Sequence, residues 1–363
     1  MADTGVRITT RTLPTSRIGV QVHQREGAVP QPGAVTTVLV HGNVSSSVFF
    51  HPLLRALPAD VPALAVDLRG FGGSEPAPVD ATRGLRDYAD DVWAAVDALE
   101  LDRVHLVGWS MGGGVVLQML LDVAPRVAAL TLINPVSPYG FGGTKGLGGE
   151  LVHPDGAGSG AGGANPAFVA ALAAPPGSGD DSDPFSPRSV LRSFYVAPGW
   201  PHQGSPLEDE LVASMHTTVT GADNYPGDPA TSPHWPTLAP GRRGVLNTMA
   251  PTHLDLSGVV DVTPKPPVLW LRGHVDQIVG DASMFDLAQL GLLGAIPGYP
   301  GVDAFPPQPM VGQTRAVLER YAAAGGGFRE VVLPGVGHSP HIEQTAAVAD
   351  LLAEQARAGG VGK

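Results

Sequence analysis

Gly108-Trp109-Ser110-Met111-Gly112 is the stretch on which the reading of this 363-residue chain turns. Arg103 to Val107 before it is apolar enough for a buried strand, and Val115, Val116, Met119 and Leu120 after it fall at helical spacing. A serine on a sharp strand-to-helix turn is held in a strained backbone conformation with its hydroxyl exposed, and the flanking glycines make room for that turn. In a chain with 48 glycines the pentapeptide alone means little. Between a strand and a helix it marks Ser110 as the expected nucleophile.

A serine hydroxyl needs a base, and the base needs a carboxylate to hold its tautomer. Gly335-Val336-Gly337-His338-Ser339-Pro340 puts a histidine in a glycine-bordered loop just after a late strand, so His338 is the expected base. Nearby His341 is the main rival for that role and reads instead as a surface residue at a helix start. The acid should leave a strand between the two. Gly273-His274-Val275-Asp276-Gln277-Ile278-Val279 does so directly, which selects Asp276; Asp281 and Asp261 read as solvated loop carboxylates. Acyl chemistry also needs donors for an oxyanion. His41-Gly42-Asn43 follows the Thr37–Val40 run, and the backbone amides of Asn43 and Met111 form the expected pair; the Asn43 side chain is open to two roles, reaching the substrate or pinning its loop, of which the second is expected.

Around these motifs, apolar strand signals (Val20–His23, Thr37–Val40, Ala63–Val66, Ala128–Ile133, Pro267–Leu271, Glu330–Leu333) alternate with helical stripes over Val48–Leu57, Tyr88–Leu99, Val317–Ala324 and Thr345–Arg357. That alternation predicts an α/β protein with a mainly parallel sheet covered on both faces. Residues 1–135 and 266–363 form the two halves of the core. Between them, 136–265 has little periodicity but many aromatic residues, and is read as a cap domain over the C-terminal edge of the sheet. Trp109, Tyr195, Trp200, Trp235 and Leu292 are the candidate substrate-binding residues. The segments 137–165, 173–187 and 291–308 are rich in Gly, Pro, Ser or Asp and read as long loops.

Composition narrows the function classes. Hydrophobic residues make up 43% and charged residues 15%, as in a globular protein. A net charge of −12 argues against nucleic acid and anionic membranes as partners. There is no cysteine for a disulfide, thiol nucleophile or thiolate metal site. No apolar leader or bilayer-spanning run is evident, so a cytoplasmic protein is expected. No metal or organic cofactor is implied. The partner expected is a small hydrophobic ester or lactone, and the apolar run Leu290–Pro297 leaves a homo-oligomer open.

With the elbow, His41-Gly42-Asn43, Asp67-Leu68-Arg69-Gly70-Phe71-Gly72-Gly73-Ser74, Asp276 and His338 in this order, the chain resembles the α/β-hydrolase superfamily over residues 18–135 and 265–358. The resemblance implies an α/β-hydrolase fold, with a mostly parallel eight-stranded sheet flanked by helices, an inserted cap domain and a Ser–Asp–His triad. Some relatives take the acid from the strand after the nucleophile helix; here that point reads Ile133-Asn134-Pro135, and Asn134 carries no charge. The stretch between Asp276 and His338 is longer than is usual in the family, the excess being an insert at 281–310 whose apolar part is open to three roles: lining the substrate pocket, covering the site or forming a subunit contact. The implied activity is hydrolysis of a hydrophobic ester or lactone through an acyl-enzyme, with kcat/KM rising as His338 loses its proton. The same triad serves C–C bond hydrolases, perhydrolases and proline-releasing peptidases. A peptidase would need a free cap carboxylate such as Glu208, Asp209 or Glu210, and a non-enzymatic ligand receptor shares the fold. More narrowly, the textures of His41–Ser47, Gly108–Gly114 and Asn134–Gly143 are similar to bacterial hydrolases of the macrocyclic lactone zearalenone.

Overall fold

The computed structural model describes residues 5–27 and 34–360. Eight strands form one sheet: β1 (Ile8–Pro14), β2 (Gly19–Arg25), β3 (Thr36–Val40), β4 (Ala63–Val66), β5 (Val104–Trp109), β6 (Val127–Ile133), β7 (Val268–Gly273) and β8 (Phe328–Leu333). Their spatial order is β1-β2-β4-β3-β5-β6-β7-β8. β2 runs antiparallel to both neighbours, and every other pairing is parallel. β3 to β6 are buried along their whole length, as strands covered on both faces must be. This is the eight-stranded architecture expected. β1 escaped the sequence reading because it pairs only with β2 and its Thr9–Thr12 stretch is exposed; an edge strand carries no apolar run.

The main helices are α1 (His51–Ala56), α2 (Arg86–Ala98), α3 (Met111–Val123), α4 (Pro166–Ala173), α5 (Pro206–Met215), α6 (Leu287–Leu292), α7 (Met310–Ala323) and α8 (Thr345–Gly360). α3 is buried from Met111 through Leu120, so it packs as a core helix. Burying Val115, Val116 and Met119 contributes about 1.5–3 kcal/mol each. The helix expected over Val48–Leu57 begins instead as a 3₁₀ turn, Ser47–Phe50, capped by the Ser46 hydroxyl, and becomes α-helical only from His51.

Residues 136–265 contain α4, α5, shorter turns and two- or three-residue strand pairs such as Thr144–Lys145 with Glu150–Leu151. Phe168, Tyr195, Trp200 and Tyr225 bury their rings in the same hydrophobic core as the sheet. Asn247 stitches this segment internally: its Oδ1 accepts from Ala161 N (2.9 Å) and Gly241 N (3.1 Å), and its Nδ2 donates to Asp228 O and Arg243 O. The insert 281–310 is likewise tied down. Buried Asp286 caps α6 and accepts from Gln308 N, while Gln308 and Gln313 bond to each other and to Gly142 and Ser137.

Candidate active site

Five consecutive strands of the sheet deliver the candidate residues from their C-terminal ends: Asn43 after β3, Ser110 after β5, Asn134 after β6, Asp276 after β7 and His338 after β8. Open α/β sheets place their sites at that edge.

Ser110 has φ +57 and ψ −122, a conformation that L-residues adopt only under constraint. Its N–H donates to Ile133 O, and its carbonyl accepts from Gly113 N and Val136 N. The glycines around it answer to space. A Cβ at Gly108 would stand 2.2 Å from Gly112 O, one at Gly112 2.2 Å from Val40 O, and one at Gly42 2.8 Å from Ser110 Cβ. The elbow is therefore pressed against the Gly42–Asn43 loop.

His338 is buried and its Nδ1 lies 2.9 Å from Asp276 Oδ2, while Asp276 Oδ1 accepts from Ile278 N and Val279 N. An acidic partner at Nδ1 leaves Nε2 as the nitrogen able to take a proton. Among the described residues, Ser110 Oγ and His338 Nε2 are not bonded to each other, a looseness common before substrate binds. Asn43 N–H and Met111 N–H likewise donate to no protein acceptor among the described residues, as two oxyanion donors require. The Asn43 side chain does not pin its loop: its Oδ1 is buried without a partner.

His41 holds that loop instead. Leu68 N donates to its Nε2 (2.9 Å), so the proton sits on Nδ1 and donates to Gly42 O (2.7 Å). Burial lowers its pKa to about 4, keeping this neutral tautomer. Asp67 braces the next turn, accepting from Ser47 N, Gly73 N and His23 Nε2. Burial would raise its pKa, but these donors hold it at about 2.

Two residues that the sequence reading missed anchor the histidine loop. Asn134 Nδ2 donates to the carbonyls of Gly337 (3.0 Å) and His338 (2.9 Å), and its Oδ1 accepts from Gly273 N (2.9 Å), joining the base loop to the acid strand. Its lack of charge is thus no loss. Glu343 accepts from Gly337 N, Ser339 N and Ala197 N, and burial pushes its pKa up. His341 corrects an expectation: it is fully buried rather than on the surface, wedged between Phe50 (4.8 Å) and Trp109 (4.6 Å) with both nitrogens unpartnered. Burial, reinforced by His338, lowers its pKa to about 3.

Of the candidate substrate-binding residues, Trp109 and Tyr195 come to the triad. Trp109 Nε1 donates to His338 O, and the Tyr195 ring meets that of His338 edge-on at 5.9 Å. The other three lie elsewhere. Trp200 packs against His202; Trp235 contacts Tyr299 and Phe305; Leu292 is half exposed on α6. Within 136–265, Arg188 and Arg192 both pair with Glu208, which sits at a pKa of about 2 despite the opposing effect of burial. Arg188 also pairs with Asp209.

A sequence model of the α/β hydrolase fold matches residues 37–147. A protein of Variovorax paradoxus strain S110 named as a carbamate hydrolase, RutD, is 44% identical over 98 residues, covering 27% of this chain and 36% of that protein. The acetyltransferase component of the acetoin cleaving system of Pseudomonas putida is 39% identical over 105 residues, covering 28% of this chain and 27% of it. The chain thus spans about a third of these relatives or less, and the shared part accompanies differently named activities. Among solved structures, the carboxylesterase CesB (YbfK) of Bacillus subtilis superposes over 96% of this chain and 91% of its own, with a TM-score of 0.57 and 16% identity. That likeness extends the fold to the whole chain.

Proposed function

From a chain with the α/β-hydrolase fold, we propose a serine hydrolase that cleaves a carboxylic ester or lactone of a hydrophobic substrate through an acyl-enzyme. The observation that carries this reading is Ser110 at φ +57 beside a His338–Asp276 pair bonded at 2.9 Å through Nδ1. His338 Nε2 takes the proton of Ser110, and Oγ attacks the carbonyl carbon. The Asn43 and Met111 amides hold the resulting oxyanion. The tetrahedral intermediate collapses as His338 protonates the leaving alkoxide, and water then repeats the cycle on the acyl-enzyme. A serine at this point also removes mechanisms that need a carboxylate nucleophile.

Residues 136–265 act as the cap that selects the substrate, and the Tyr195 ring lies against His338 with the wholly buried Trp109 and Phe49 packed behind it. The narrower reading is a macrocyclic aromatic lactone of the zearalenone type, supported by the loop textures noted above. For a proline-type peptidase, Glu208 and Asp209 are paired with arginines, which leaves Glu210 of the three cap carboxylates to receive a substrate amine.

Fluorophosphonate labelling and a panel of p-nitrophenyl esters, simple lactones and aromatic macrolactones test both levels. Wild type should label at Ser110 and hydrolyse esters, and Ser110→Ala should lose about 10⁴-fold or more in kcat with an unchanged melting curve. An alanine variant with full esterase activity would sink the mechanism. Turnover of small esters without macrolactones would remove only the narrow reading.

A further inference from the structure

We propose that Tyr195–Ala197 form a strap holding both catalytic loops, and that Tyr195 is a positioning residue for the Asn43 oxyanion donor. This rests on the serine-hydrolase reading above.

The argument starts from the peptide planes of the Gly42–Ser45 turn. The plane that carries the Asn43 N–H also carries the Gly42 carbonyl, which His41 Nδ1 and Ser45 Oγ grip at 2.7 and 2.9 Å. The next plane carries the Asn43 carbonyl, and the group that holds it is the Tyr195 hydroxyl at 3.0 Å. Beyond it stands Val44, buried, with φ +48. A β-branched residue in the left-handed region is strained and persists only where its surroundings hold it. Without the Tyr195 hydroxyl, rotation about Asn43 and Val44 relieves that strain, and the plane that carries the donor is then held only by the two bonds at Gly42 O. Burial pushes the Tyr195 phenol up, so it stays protonated and able to donate.

A second staple lies two residues on. Ala197 N donates to Glu343 Oε2 at 2.8 Å, and the same carboxylate accepts from Gly337 N at 3.0 Å, just before His338. The fit is close: a Cβ on Gly337 would stand 2.7 Å from Ala197 N. The strap leaves a π-helical turn, Leu191–Tyr195, a widened geometry that recurs at functional sites. One short piece of the 136–265 segment therefore touches the oxyanion loop with its first residue and the histidine loop with its last. A purely space-filling tyrosine would need its ring here but not its hydroxyl.

Tyr195→Phe isolates that hydroxyl. In the full chain, with p-nitrophenyl butyrate, kcat should fall about 10–100-fold while KM stays within about twofold. The Ki of an alkyl trifluoromethyl ketone, which binds as a tetrahedral oxyanion, should rise by the same factor. Glu343→Gln, acting through the other staple, should lower kcat about tenfold. Tyr225→Phe, a cap tyrosine packed on Phe168, should match wild type. Wild-type kcat in Tyr195→Phe, or a loss carried in KM with an unchanged ketone Ki, overturns the assignment. If Tyr195→Phe does not fold, Glu343→Gln decides: wild-type kcat there removes the strap. If wild type neither turns over esters nor labels at Ser110, the hydrolase reading falls and the strap with it.

Discussion

Gly112 and Gly204 answer to different constraints. A Cβ on Gly112 would strike Val40 O at 2.2 Å and His41 O at 2.5 Å, whereas one on Gly204 would meet nothing within 4 Å. The first belongs to the sheet body, where backbones approach so closely that only a missing side chain fits. The second belongs to the segment inserted between β6 and β7, where glycine serves a turn at φ +72. The same contrast runs through the two regions. The body is ordered by long buried strands and α3. The inserted segment is ordered by polar side chains such as Asn247 and Gln308 that bond backbone groups of irregular loops. Apolar pattern organises one region and hydrogen-bond inventory the other, because irregular backbone buried away from water must find partners outside helix and sheet.

Substitutions can break that contrast. The largest stability loss should come from Gly112→Ala, at about 3–5 kcal/mol, since both atoms struck are backbone and cannot step aside. Urea unfolding measures it, and a loss below 1 kcal/mol would mean that the elbow is not tightly packed. Asn247→Ala should cost about 2–3 kcal/mol, because it strands several buried backbone groups at once. Limited proteolysis should then cut first within 136–265 and spare the sheet; simultaneous loss of both regions would merge them into one cooperative unit.

Acid should separate the regions next. Burial lowers His41 to about 4, and His105 and His341 to about 3, against 6.5 for a free histidine. The unfolded chain takes up these protons first, so stability is full above pH 6.5 and falls as pH drops toward 4, by at most about 1.4 kcal/mol per pH unit for each histidine. Glu208 behaves differently. Its folded value of about 2 lies below the 4.5 of a free glutamate, so its contribution persists until pH falls below 4.5. Urea midpoints should therefore decline between pH 7 and 5, before the Arg188–Glu208–Arg192 cluster titrates; a flat profile would contradict the buried neutral histidines. The smallest effect should be that of Gly204→Ala, about 1 kcal/mol from the positive φ alone.

The site was only partly legible in advance. Ser110, Asp276 and His338 stand in short motifs at strand ends, where a local pattern and the order of strands suffice to bring them forward. Asn134 was read for the charge it lacks, although its amide ties His338 to Gly273 from 204 and 139 residues away. Glu343 gave no signal beyond closeness to His338, and His341 was placed on the surface because a lone histidine after a proline shows nothing of the rings that enclose it. The 281–310 insert read as an apolar segment of open purpose. In the structure it is tied to the 136–265 segment, with Trp235 packed on Tyr299 and Phe305 and its Nε1 bonded to Pro297 O.

Strand and helix periodicity and the glycine-flanked elbow are local properties, readable wherever the residues stand in the chain. They were enough to specify the sheet, its covered faces and the residue at the turn. The geometry around that residue is non-local. Tyr195 reaches Asn43 across 152 positions, and Ala197 reaches Glu343 across 146. Which of many polar groups meet across such spans depends on how a segment without periodicity folds back over the sheet edge. That outcome is set by the total satisfaction of buried donors and acceptors, and no short stretch of sequence displays it.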